Sequence, residues 1–92
     1  MSIHRHGHER GALSLHDQTR VAEVLCAIKR IIETTGHLPD AHEISAATGY
    51  PADEMLVFLS VKGWTKAHGP VGANWFSLTE RGESHIAHYC RS

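Results

Sequence analysis

Nine Lys and Arg against ten Asp and Glu give these 92 residues a formal net charge of −1, with the nine histidines neutral. That balance excludes a strongly basic nucleic-acid coat protein but allows a local basic patch. The length suits one small domain, and a domain of this size buries only roughly 60–65% of the surface its unfolded chain exposes.

Hydrophobic content of 41% and charged content of 21% are ordinary for a globular protein. The longest apolar run, residues 55–59, is too short to cross a membrane, and nothing resembles a signal peptide. Cys26 and Cys90 have neither a disulfide-framework spacing nor a zinc spacing. The sequence thus predicts a soluble cytoplasmic protein with reduced thiols and with Cys26 inert inside an apolar helix. The histidines make net charge responsive near about pH 6.5.

Residues 1–13 are polar, glycine-punctuated and His-rich, and read as a flexible tail preceding one domain, residues 14–92. Ser14 and Asp17 form a variant capping box. Val21, Val24, Leu25, Ile28, Ile31 and Ile32 follow at helical spacing as one apolar stripe. Gly36 and Pro39 end that helix. Asp40 and Glu43 form a second capping pair, opening a short helix with Ile44 and Ala47 inward and Gly49 at its end.

Pro51 suits the first turn of a third helix, where Asp53 and Glu54 complement the helix dipole. Gly63 closes it. A strand over residues 64–68 leads to Gly69-Pro70-Val71-Gly72, which fits a type I turn, and a returning strand spans residues 74–78. Thr79 caps a last helix with Ile86 inward and Tyr89 as a second inward candidate.

Ile44-Ser45-Ala46-Ala47-Thr48-Gly49-Tyr50 resembles the second helix and turn of winged helix-turn-helix domains, as in small prokaryotic transcriptional regulators. Trp75-Phe76-Ser77-Leu78-Thr79-Glu80-Arg81-Gly82 resembles the wing's last strand and its "aromatic-x-Leu-Thr-x-x-Gly" exit. The resemblance runs from Ser14 to about Ala87. It implies a mainly α fold with a small β-hairpin (α+β): a three-helix core, a two-stranded wing and a C-terminal helix.

The third helix has two registers. Counting from Gly49 places Met55 and Leu59 inward, whereas anchoring on Gly63 brings in Ala52 and Leu56 as well. Both leave Asp53, Glu54, Val57 and Ser60 outside, while Phe58 and Leu56 exchange sides.

The resemblance implies double-stranded DNA as partner, with the third helix in the major groove and the wing on backbone or minor groove. Yet no Lys or Arg lies between Arg30 and Lys62, a stretch holding Glu33, Asp40, Glu43, Asp53 and Glu54. Residues 62–79 contain no acid. The resemblance turns Asp53, Glu54, Val57, Ser60 and Val61 toward the groove, with Ser60 meeting a base or a phosphate, and leaves positive charge to the flanks: Lys62, Lys66, His68 and Arg81 around the wing, where Asn74 is a further contact, and Arg20, Lys29 and Arg30 on the first helix. The alternative is a protein-interaction module, a homodimer included, using Asp53, Glu54, Val57, Phe58 and Val61 without binding DNA.

With Met1 removed, Ser2-Ile3-His4 offers an amine, two amides and an imidazole, a square-planar set for Cu(II) or Ni(II), with His6 and His8 nearby. His85, His88 and Cys90 form a second, weaker set. No phosphate-binding glycine loop, HExxH or paired CxxC is present, so no enzyme and no organic cofactor are expected.

Overall fold

A computed structural model describes residues 15–49, 51–70 and 74–90. The Ser14 cap, the His-rich tail with His4, His6 and His8, and the Val71–Gly72 half of the expected turn lie outside the described residues.

The first helix, α1, spans Leu15–Thr35. Its stripe of Val21, Val24, Leu25 and Ile28 is buried, and Ile31 and Ile32 are half-buried at its end. Gly36 takes a left-handed φ of 80° and donates its N–H to the Ile32 carbonyl at 2.9 Å. Only glycine adopts that conformation cheaply, so the helix ends where the periodicity ends.

Helix α2 covers Ala41–Thr48 with a full capping box. The Glu43 N–H donates to Asp40 Oδ1 at 2.8 Å, and the Asp40 N–H donates to Glu43 Oε1 at 3.0 Å. Gly49 closes α2 at φ 87°. Ile44 is buried, while Ala47, expected inward, is exposed. The Ser45 hydroxyl accepts the Ala52 N–H at 2.9 Å and ties α2 to the start of the next helix.

Helix α3 is Asp53–Val61, so Pro51 precedes the helix instead of opening it. No side chain caps it, and Asp53 and Glu54 stand in its first turn. Gly63, at φ 79°, ends it early. The register anchored on Gly63 holds: Ala52, Leu56 and Leu59 are buried, with Met55 and Phe58 half-buried.

Strands β1 (Thr65–His68) and β2 (Trp75–Leu78) pair antiparallel, Thr65 opposite Leu78 and His68 opposite Trp75. Alternation puts Thr65, Ala67, Phe76 and Leu78 on one face and Lys66, His68, Trp75 and Ser77 on the other. The Phe76 N–H donates to the Pro39 carbonyl at 2.9 Å, which occupies the far edge of β2 beside Asp40.

Helix α4, Glu80–His85, is capped by Thr79, whose Oγ1 accepts the Gly82 N–H at 3.0 Å and donates to the Gly63 carbonyl at 2.6 Å. The architecture is thus mainly helical with one two-stranded antiparallel hairpin, an α+β arrangement. Its core lies between α1, α2 and α3, closed by Phe76 and Ile86.

Two expectations fail at the C-terminal end. Tyr89 is 57% exposed, because residues 86–89 leave helical geometry and turn the chain back toward α1. Cys90 thereby meets Cys26, and the two form a disulfide with a Cα–Cα distance of 5.6 Å. The thiols are not reduced, and Cys26 is half-buried in a covalent bond. Their separation of 64 residues matches no spacing pattern, since only the fold brings them together.

Candidate functional site

The hairpin's outward face carries the first group of candidates. Lys66 is exposed, and His68 Nε2 lies 2.8 Å from the Ser77 hydroxyl, which fixes the imidazole on that face. Asn74 turns its amide back into the hairpin, 3.4 Å from the carbonyls of His68 and Gly69. At the hairpin base Arg81 approaches Gly63, next to Lys62. The Lys62 ammonium sits 5.7 Å from the Phe58 ring centre, a cation–π contact that keeps its charge near the base of the hairpin. Neither Lys66 nor Arg81 forms an ion pair with a described residue.

The first-helix candidates do not join this group. Lys29 contacts Glu83 at 3.3 Å and Glu33 at 3.7 Å, so two acids already meet its charge. Arg20 lines a depression with Asp17 and Glu54. Arg30 lines another, on the side of the disulfide, with Glu23 and Tyr89. The cations that sequence spacing grouped as one flank thus face three different neighbourhoods.

Ser60 is half-buried with its hydroxyl 3.1 Å from that of Thr65, at the seam between α3 and β1. It serves packing first. Phe58 meets Trp64 edge-on at 6.2 Å, and Trp64 stacks on His85 at 4.1 Å with 17° between the rings.

The second surface is a groove of about 660 Å³ bounded by α3, the start of α2 and the hairpin. Val57 and Val61, one turn apart on α3, line it while 66% and 80% exposed. Ala67 and Trp75, the latter 44% exposed, line it from the hairpin, from opposite faces of the strands. Asp40, His42 and Asp53 supply its polar rim. Among the described residues no Lys or Arg lines this groove. Sequence reading found Asp53, Val57 and Val61 but not Asp40, His42, Ala67 or Trp75. The alternation of β2 would have flagged Trp75, since Phe76 and Leu78 claim the inward face.

Among the described residues no group of three or more His, Cys, Asp and Glu is placed to hold a metal ion. The set of His85, His88 and Cys90 fails because the Cys90 sulfur is bonded to Cys26 and His85 is stacked on Trp64. The Cu(II) or Ni(II) set at His4, His6 and His8 lies outside the described residues. Among them, too, no helix is long and apolar enough to cross a membrane. No protein-family profile, no curated protein and no solved structure matches this chain.

Proposed function

We propose that this chain is a winged helix-turn-helix domain that binds double-stranded DNA as a small transcriptional regulator, through its hairpin and not through a charged reading helix. The observation that carries the reading is the charge split across adjoining elements. The exposed start of α3 bears Asp53 and Glu54, whereas the hairpin and its base offer Lys62, Lys66 and Arg81, with His68 beside them. The order of three helices, hairpin and helix supports the same reading.

Mechanistically, Lys66, Lys62 and Arg81 neutralise phosphates and release counterions. Such contacts position a protein without reading sequence. Val57 offers at most a thymine methyl contact and Asp53 an acceptor for cytosine N4, so direct readout is slight.

Fluorescence anisotropy with mixed-sequence duplex DNA over a salt series tests the reading. Affinity falls steeply with salt, the logarithmic slope changing by roughly 0.9 per phosphate contact. The Lys66→Glu/Arg81→Glu double variant loses binding. Affinity retained in that variant, or no binding by the wild type at low salt, defeats the proposal and leaves protein association as the role.

A further inference from the structure

The groove between α3 and the hairpin has a composition that phosphate contacts do not use. Two β-branched residues, Val57 and Val61, stand exposed on one stripe of a nine-residue helix, and an exposed tryptophan lies on the same lining. β-Branched side chains gain nothing for a helix by propensity, and neither valine contributes to the core. Apolar side chains gathered on the wall of a concavity gain free energy only when something covers them.

The structure also restricts the form of the occupant. An extended peptide adds to a sheet through free backbone groups at an edge. Beside this groove the edge of β2 is already engaged, the Phe76 N–H by the Pro39 carbonyl and Trp75 bridged to Asp40. On the β2 side, what the groove presents is side-chain surface: a helix stripe, a tryptophan and Ala67. That surface suits the apolar face of a helix laid between α3 and the hairpin.

Charge selects among helices. Asp53 is exposed at the first turn of α3, with Glu54 beside it. Asp40 Oδ1 accepts the Glu43 N–H, while its second oxygen accepts no bond from a described residue. Among the described residues His42 is the only base on the lining. A basic helix is therefore attracted and an acidic one repelled.

We propose that the groove bounded by Val57, Val61 and Trp75 docks an amphipathic helical segment of a partner protein, with apolar side chains one turn apart and Lys or Arg toward Asp53. This goes beyond the DNA reading, because the lining of the groove holds none of Lys62, Lys66, His68 and Arg81, although Trp75 shares its face of the hairpin with Lys66 and His68.

Selection from a displayed library of short random peptides against the purified full chain tests the proposal. Enriched peptides carry paired apolar residues at helical spacing flanked by Lys or Arg. Val57→Glu and Val61→Glu each weaken their binding at least tenfold, and Asp53→Lys turns the selected charge from basic to acidic. All three sites are exposed, so thermal melts close to wild type verify that the variants fold. No enrichment, peptides indifferent to Val57→Glu, or an unchanged charge preference in Asp53→Lys would overturn the proposal. So would a sedimentation dimer that Val61→Glu splits, which would assign the groove to a second copy. Failure to bind DNA leaves every one of these readouts intact.

Discussion

Gly82 has no room for a side chain. It is buried in α4, and a Cβ built there would overlap the Trp64 carbonyl oxygen, a backbone atom that cannot rotate away. That same carbonyl accepts the Thr79 N–H at 3.1 Å, so displacing it also disturbs the α4 cap. Gly82→Ala should therefore cost about 3 kcal/mol, the upper range for overpacking, measured by urea denaturation. Asp40→Ala removes one half of a capping box and should cost about 1 kcal/mol in the same experiment. Residue-scale features of the second kind were readable in the sequence, because a cap is a contact between residues three apart. Gly82 was readable only as the end of a stretch that resembles a wing exit. Its physical reason, the approach of Trp64, needs the hairpin and α4 in place together.

At the scale of elements, α3 shows what periodicity can and cannot resolve. The run Met55-Leu56-Val57-Phe58-Leu59 has no polar residue to mark a face, so two registers fitted equally well. The early stop at Gly63 decides between them, because it sends the chain into β1 while Leu56 and Leu59 face α1 and α2. The consequence is measurable. Leu56 is 2% exposed and Val57 66% exposed, so Leu56→Ala should cost about 2–5 kcal/mol. Val57→Ala should stay within about 0.5 kcal/mol, as surface changes do. The reverse order would mean that α3 is rotated. The helices, hairpin and caps were legible because each is written in local spacing. The groove was legible only by half. Its α3 wall is a periodic stripe, whereas Asp40, His42 and Trp75 reach it through the pairing of β2 with the segment before α2.

For the whole molecule, the Cys26–Cys90 bond is the feature that local spacing concealed. It joins the middle of α1 to the segment after α4, across 64 residues. Closing a loop of that length lowers the entropy of the unfolded chain by an amount worth about 4 kcal/mol. Reduction, or the Cys90→Ser variant, should therefore lower the melting temperature by roughly 15–30 °C for a domain of this size. A shift of only a few degrees would mean that Ile86 and the Lys29–Glu83 pair already hold the C-terminal segment against α1. The inference of reduced thiols failed for a physical reason: pairing depends on distance in the folded state, not on spacing along the chain.

The bond also sets how the molecule carries tension. A pull applied at its two ends runs through the first half of α1, crosses the sulfur bridge and leaves at Cys90. Everything within the ring, including α2, α3 and the hairpin, is out of the line of force. Oxidised chain stretched between two anchors would keep both candidate surfaces folded, whereas the reduced chain would feed them into the extending strand.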